Sequence, residues 1–171
     1  MNYKIFETER LLIKPTLEED AVFILELLNT PKWIKYIGDR NVKTVASAKE
    51  YIKTKMLPQL KKLGYSNYTV IRKVDSVKIG TCGIYDRDGI EGVDIGFAFL
   101  PKYEKNGYAF ESVNQLKNKA FNEFGLPLIN AITVKDNLAS QKLLEKLGLT
   151  FIKKIHIPND KEELLLYSIK K

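Results

Sequence analysis

The chain has 171 residues, of which 44% are apolar and 29% are charged, and its formal net charge is +7. This composition is typical of one folded domain and excludes a disordered chain. One cysteine, Cys82, and one histidine, His156, are too few for a disulfide or a structural zinc site. No apolar stretch is long enough for a signal peptide or a membrane span, so we expect a cytoplasmic protein.

Basic residues outnumber acidic residues by 28 to 21, but both kinds are spread over the two halves of the chain. Because a nucleic-acid-binding domain concentrates its positive charge on an arm or patch, this even spread argues against a nucleic-acid partner. The mild positive charge still favours a small polyanion such as a phosphorylated cofactor.

The first predicted elements are a strand and an amphipathic helix. The strand covers residues 10–14 and stops at Pro15. Thr16 and Glu19 have the spacing of a capping box, which predicts the start of a helix.

A second predicted helix, over about residues 44–63, is disturbed by Pro58 and ends at Gly64. The remaining predicted elements are strands over 67–73, 77–85 and 93–100, a helix over 107–124, a strand over 128–134, a helix from Asn137 to Leu147, and strands over about 149–157 and 163–169. Seven strands and four helices in this order predict an α/β fold built on a mixed sheet.

Common catalytic motifs are missing from the chain. It has no G-x-S-x-G, no G-x-x-x-x-G-K-[ST] and no G-x-G-x-x-G, which removes the sequence support for a hydrolase triad, a P-loop or a dinucleotide fold. We expect His156 to be either a surface residue or a strand residue with satisfied hydrogen bonds, and Cys82 to be a buried, unreactive thiol.

One segment, residues 101–109, lies between an apolar strand and a long helix and suits an anion. The first N–H groups of a helix have no internal partner and carry a partial positive charge. Gly107 would let the main chain approach a phosphate closely. An ordinary Asn-Gly turn would look the same in sequence.

Four segments together resemble the GNAT superfamily of N-acetyltransferases. Residues 104–109, Glu-Lys-Asn-Gly-Tyr-Ala, resemble the [Q/R]-x-x-G-x-[G/A] loop that binds the pyrophosphate of acyl-CoA, and residues 94–101 resemble the strand before it. Residues 137–149 are similar to the N-x-x-S…LEKLGF helix of that family. Residues 7–15 are similar to the TERLxLRP opening of the branch that includes the ribosomal-protein alanine N-acetyltransferases.

The resemblance implies a mostly antiparallel sheet, splayed between its fourth and fifth strands to admit acetyl-CoA, and no metal. It implies that the CoA pyrophosphate binds the main chain of Lys105, Asn106, Gly107, Tyr108 and Ala109. It also implies that main-chain groups of Phe97, Phe99 and Leu100 pair with the pantetheine arm, and that Asn137 contacts the cofactor. Glu104 departs from the family pattern, and we expect Lys102 and Lys105 to offset its charge.

Asp94 is the first candidate for the base that takes the proton of an amine acceptor. Strand alternation places Asp94, Gly96 and Ala98 on one face, where the small side chains would leave room for a substrate. A carboxylate at this place could instead be paired with an arginine or lysine. Glu91 in the preceding loop is the second candidate, and Glu111 on the helix is the third.

The family often protonates the departing CoA thiolate with a tyrosine, but Leu144 stands at that position. The resemblance assigns the role to Ser140, which could equally be a helix-capping or packing residue. A main-chain N–H near Phe97 or Ala98 would hold the oxyanion.

The acceptor site is expected between the first two predicted helices. Trp33 and Tyr36 would wall it, and Asp39 or Arg40 would fix a charged group, although loop anchoring explains these residues equally well. The predicted acceptor is a primary amine, either a protein N-terminus or a small molecule, and the protein would be a monomer or a homodimer. An acyl-CoA-binding module with little or no catalysis is the alternative.

Overall fold

A single mixed sheet forms the centre of the computed structural model, which describes residues 2–171. Its strands are β1 (Phe6–Glu7), β2 (Leu11–Pro15), β3 (Asn67–Arg72), β4 (Val77–Asp86), β5 (Val93–Phe99), β6 (Leu128–Val134), β7 (Thr150–Ile155) and β8 (Leu164–Lys170). Their spatial order is β1-β2-β3-β4-β5-β6-β8-β7. Only β5 and β6 pair in parallel, and every other neighbouring pair is antiparallel.

The helices are α1 (Ala21–Leu28), α2 (Pro31–Tyr36), α3 (Val45–Tyr51), α4 (Leu57–Leu63), α5 (Tyr108–Asn122) and α6 (Leu138–Lys146). A π-helical turn, Ile52–Met56, joins α3 and α4 into one rod that ends at Gly64, whose φ is 82°. Pro58 accounts for the irregular turn, because proline lacks an N–H and its ring crowds the carbonyl four residues earlier. The rod confirms the predicted second helix.

The α/β class is confirmed, but the predicted numbers of strands and helices are corrected. Residues 2–171 contain eight strands and, counting the rod once, five helices. Strand β1 is only two residues long, too short for alternation to reveal it. Helix α2 begins with Thr30 as its N-cap and Pro31 at its first turn, a pairing that favours a helix start.

The predicted capping box is wrong. Leu17, not Thr16, is the N-cap of the 3₁₀ turn that leads into α1, and its N–H donates to Asp20 Oδ2 at 2.9 Å. Thr16 is buried beside β3 instead, where its hydroxyl lies 2.9 Å from that of Thr69. Because the strand runs on through Pro15, the helix start moves one residue along the chain.

Helices cover both faces of the sheet, and each face has its own apolar core. One core packs Val113, Leu116 and Ala120 of α5 against the central strands. The other packs Ile24 and Leu28 of α1 with the α3–α4 rod. The sheet is therefore packed between two layers of helices.

Strands β5 and β6 separate soon after they meet. Their ladder contains only two pairs, Val93 with Ile129 and Asp94 with Asn130, although each strand has seven residues. Beyond Asp94, the edge of β5 that faces β6 has no strand partner. These are the fourth and fifth of the predicted strands, because β1 was not predicted. The splay expected between them is present, and it opens toward the start of α5.

Candidate active site

A cavity of about 720 Å³ occupies the gap between β5 and β6 and continues under the helices on one face of the sheet. We call its first part the cosubstrate arm, which is lined by Phe97, Phe99, Ala109, Thr133, Ser140 and Leu143. We call its second part the acceptor arm, which is lined by Trp33, Tyr36, Arg40, Tyr51, Lys55 and Tyr85. Asp94 also lines this cavity, beside the point where β5 and β6 separate.

The start of α5 forms the mouth of the cosubstrate arm. Gly107 is the N-cap with φ 79°, and Lys105 also has a positive φ, 61°. The first intrahelical bond is donated by the N–H of Glu111 to the carbonyl of Gly107, at 3.0 Å. The N–H groups before Glu111 are therefore free to bind a ligand, and the helix dipole gives them a partial positive charge that suits a diphosphate.

Arg10 supports this loop through contacts that were not predicted from the sequence. Its guanidinium donates to the carbonyl of Asn106 at 3.0 Å and to Glu111 Oε2 at 2.7 Å, and it lies 4.4 Å from the centre of the Tyr108 ring. In the sequence, only the similarity of residues 7–15 to a family motif pointed to a role for Arg10, because its contact with Asn106 spans 96 residues.

The third candidate base, Glu111, anchors Arg10 and does not line the cavity. Burial acts to raise the pKa of this carboxyl, but hydrogen bonds from Thr8 and Arg10 outweigh burial and leave its pKa below the usual value. A carboxylate held in this way is a structural anion.

The negative charge of Glu104 is balanced by Lys32, a partner that was not predicted from the sequence. Its carboxylate accepts a hydrogen bond from Lys32 Nζ of α2 at 2.6 Å. Lys102, which was expected to compensate, lies instead over the ring of Tyr103. The ion pair also ties α2, on the acceptor side, to the loop that precedes α5.

The free edge of β5 offers main-chain groups from alternate residues only. The N–H of Leu100 donates to Ile79, its carbonyl accepts from Tyr103, and the residue does not line the cavity, so Leu100 is not placed to pair with pantetheine. This corrects the expectation for Leu100. Antiparallel alternation then directs the main chain of Ala98 to β4 and the main chains of Phe97 and Phe99 toward the gap.

Asp94 lies on the face predicted for it. The β4–β5 register is unbroken from Gly80–Phe99 to Asp86–Val93, so no bulge reverses the alternation within β5. The residue is 2% exposed, and Arg87 donates to both of its carboxylate oxygens, at 2.8 Å and 3.3 Å. Burial raises the pKa of Asp94, and the nearby Arg87 opposes part of that rise.

The room expected beside Gly96 is filled by a side chain. An added Cβ at Gly96 would lie 3.1 Å from the ring of Tyr85, and one at Gly83, its cross-strand partner, would clash with the Tyr85 hydroxyl. The two glycines therefore admit a tyrosine, whose hydroxyl donates to Asn67 Oδ1 at 2.6 Å. The strand wall of the acceptor arm is aromatic at this point, which corrects the prediction of open space.

Asn137 and Ser140 stand at the start of α6, on the opposite wall of the cosubstrate arm. The Asn137 side chain caps the helix by accepting the N–H of Ser140 at 3.2 Å. Within residues 2–171, the Ser140 hydroxyl has no hydrogen-bond partner, so it is free to donate into the cavity. Leu144 is 1% exposed and offers no acidic group.

The acceptor residues named from sequence come together. Trp33, Tyr36 and Arg40 all line the cavity, whereas Asp39 turns away to pair with Lys43 at 3.2 Å. The indole N–H of Trp33 is buried and has no hydrogen-bond partner in the part of the chain that the structure describes.

Two further candidates, like Glu111 and Leu100, do not line the cavity. Glu91 is exposed in the loop before β5, and its carbonyl, not its carboxylate, is bonded, to Asn130 Nδ2 at 2.7 Å. Asn106 braces the loop by donating to the carbonyls of Tyr103 and Glu104.

Among the described residues, no group of His, Cys, Asp and Glu could hold a metal ion, and no helix is long and apolar enough to cross a membrane. Burial raises the pKa of Cys82 to about 12, consistent with an unreactive thiol.

The chain matches a family model and is similar in sequence to known proteins. A family model for the acetyltransferase (GNAT) domain matches residues 10–150. The chain is 28% identical to the uncharacterized N-acetyltransferase YoaA of Bacillus subtilis (strain 168) over 147 residues, which cover 85% of this chain and 82% of that protein.

Solved structures are similar over nearly the whole chain. A GNAT-family acetyltransferase from Bacillus anthracis has a TM-score of 0.79 at 25% identity, with 98% of each chain covered. RimL, a ribosomal L7/L12 alpha-N-protein acetyltransferase in complex with coenzyme A, has a TM-score of 0.83 at 14% identity, with 98% of each chain covered.

Proposed function

The chain belongs to the GNAT family of N-acetyltransferases. We propose that it transfers the acetyl group of acetyl-CoA to a primary amine in the cavity described above. One observation carries the proposal. The unpaired edge of β5 and the free N–H groups at the start of α5 border the same cavity, so that main-chain hydrogen-bonding groups can meet one extended ligand at two places.

The residues fit acetyl-CoA, which supplies the acetyl thioester when it is bound. The N–H groups of Gly107, Tyr108 and Ala109 would hold its diphosphate, with Arg10 fixing the loop from behind. The main chains of Phe97 and Phe99 would pair with its amide groups. These contacts use the backbone, which explains why Glu104 at the first motif position is tolerated.

Asp94 takes the proton of the amine in this proposal, directly or through a water molecule. A lysine-like amine with a pKa of about 10.4 is almost fully protonated at neutral pH, so it needs a base more than an α-amine with a pKa of about 7.7 does. A raised pKa makes Asp94 a stronger base than an exposed carboxylate. Arg87 holds it in position at the wall of the cavity.

Ser140 donates a hydrogen bond to the departing thiolate, because its hydroxyl is free and Leu144 supplies no acid. The N–H of Phe97 stabilises the carbonyl oxygen, since the N–H of Ala98 is directed to β4 by the strand alternation. Acetyl transfer is direct, and no covalent acyl-enzyme is needed.

The amine itself is either a protein N-terminus or a small molecule. The ribosomal-protein branch expected from residues 7–15 remains a prediction, because the structural neighbours of that kind are only 14% to 20% identical to this chain. Their likeness supports the fold and leaves the acceptor open.

A thiol-release assay with acetyl-CoA and a panel of amines and N-terminal peptides tests this function. We expect thiol release that depends on one class of amine, with the acetylated amine formed in equal amount. If acetyl-CoA binds but no amine accelerates thiol release, the chain is the acyl-CoA-binding module and the proposal fails.

Ser140→Ala tests the role of the serine. The variant should lower kcat by about tenfold and leave both KM values within about twofold, because the lost hydrogen bond forms to the leaving group. Ser140→Thr keeps a hydroxyl and should recover most of the rate. Equal losses in both variants would assign Ser140 to packing.

A further inference from the structure

We infer that the amine acceptor also carries a carboxylate, which lies against the helical wall of the acceptor arm. The inference rests on the proposed acetyl transfer and names the class of its acceptor. Its basis is the distribution of charge around the acceptor arm. The unpaired basic side chains lie on one wall, and the acidic side chains lie on the opposite wall.

The helical wall, formed by α2, the segment after it and the α3–α4 rod, contributes Arg40 and Lys55. Neither side chain has an ion-pair or hydrogen-bond partner in the described part of the chain, residues 2–171. No acidic residue of this wall lines the cavity, because Asp39 faces away to Lys43. Two cations are therefore left to meet a bound ligand.

The opposite wall carries the acids. Asp86 at the end of β4, Asp94 on β5 and Asp160 in the loop before β8 all line the cavity. Among the described residues that line this wall, Arg87 is the one cation, and it is already bound to Asp94. An ammonium group is thus favoured at the strand wall, next to the proposed base, and an anion is favoured at the helical wall.

This arrangement disfavours polyamines, because a second ammonium group of the acceptor would lie against Arg40 and Lys55. The aromatic rings of Trp33, Tyr36 and Tyr85 further suit an apolar body between the amine and the carboxylate. A small amino carboxylic acid and a peptide with an acidic residue near its N-terminus share this chemistry.

Matched acceptors that differ in one carboxylate test the inference with the full-length chain and acetyl-CoA. One pair is 4-(aminomethyl)benzoic acid and its carboxamide, and the other is the peptide amide Ala-Asp-Phe and its Asn counterpart. The two members of each pair have amines of similar basicity. We expect the acid of at least one pair to have a kcat/KM about tenfold higher, and the pair that discriminates identifies a small-molecule or a peptide acceptor.

Equal or better turnover of both neutral members, or a preference for spermidine, overturns the inference and leaves the proposed function standing. Absence of turnover with every amine overturns the proposed function, and the inference with it. The two failures are therefore distinguishable.

Lys55→Gln locates the carboxylate. It should raise KM for the preferred acid about fivefold and leave KM for the neutral partner unchanged, and Lys53→Gln is its matched control. Lys53 lies on the same π turn, is also exposed and does not line the cavity. If the two variants behave alike, the carboxylate does not bind the helical wall.

Discussion

The two arms of the cavity are built in different ways. The cosubstrate arm is made largely of main chain, from the edge of β5 and the start of α5. The acceptor arm is made of side chains from α2, the α3–α4 rod and β4, which are separated by up to about 50 residues of sequence. In the proposed function, the first arm would recognise its ligand through main-chain groups, and the second would recognise its ligand through particular side chains.

This difference predicts which substitutions the chain should tolerate. Glu104 replaces a Gln or Arg of the family motif, yet the N–H groups that would bind phosphate are unchanged and Lys32 pairs with the new charge. On the acceptor arm, a single side chain such as Tyr85 changes the shape of the wall. The predictions below test this contrast from both sides.

Asp94→Asn should have the largest effect, because it removes the proposed base from the boundary of the two arms. We expect kcat/KM for the amine to fall about a hundredfold, while the affinity for acetyl-CoA changes little. Steady-state kinetics and calorimetric titration measure the two quantities. Asp88→Asn, at an exposed position of the loop before β5, is the control, and similar activity of the two variants would exclude Asp94 as the base.

Gly107→Ala should weaken acetyl-CoA binding by about tenfold, because a left-handed conformation costs an L-residue about 1–2 kcal/mol. The new methyl group would also lie 3.3 Å from the guanidinium of Arg10. Gly125→Ala carries the same kind of strain, at φ 65°, in open space away from the cavity. Equal loss of CoA affinity in both variants would mean that strain acts through stability alone.

Arg87→Gln should move the acid limb of the pH–rate profile to higher pH. The rate falls as the pH drops through the pKa of Asp94, because a protonated carboxyl cannot accept the proton of the amine. Burial raises that pKa and Arg87 opposes the rise, so removal of the guanidinium raises the pKa further. An unchanged acid limb in kcat/KM would show that another group controls it.

The Lys32–Glu104 pair should give the smallest effects, of opposite sign. Lys32→Gln leaves Glu104 uncompensated near the diphosphate and should lower CoA affinity about threefold, whereas Glu104→Gln should raise it by no more than that. Both changes should shrink at high salt, since the pair is partly exposed. Titrations at two ionic strengths measure this, and a change above tenfold in either variant would assign Glu104 a direct role.

Much of the cosubstrate arm could be predicted from sequence, because short motifs encode it. Gly107 with the long helix after it, the alternation around Asp94 and the cap at Asn137 are all local patterns. The prediction for Leu100 failed because its main-chain groups are used by Ile79 and Tyr103, and the direction of an N–H depends on strand register.

The acceptor arm and the braces of the loop could not be predicted in the same way. Arg10 reaches the loop from about 96 residues earlier, and Lys32 reaches Glu104 across 72 residues. The ring of Tyr85 enters the space beside Gly96 only because β4 and β5 pair in one register. Such contacts follow from tertiary packing, which no local spacing in this chain reveals.

The central claim is that the diphosphate of acetyl-CoA binds the first N–H groups of α5 while its pantetheine arm lies along the free edge of β5. Titration of ¹⁵N-labelled protein with coenzyme A, followed by two-dimensional NMR, tests it directly. The account predicts the largest amide shifts at Gly107, Tyr108 and Ala109, with further shifts at Phe97 and Phe99. Saturating coenzyme A that leaves these five amides unshifted would contradict it.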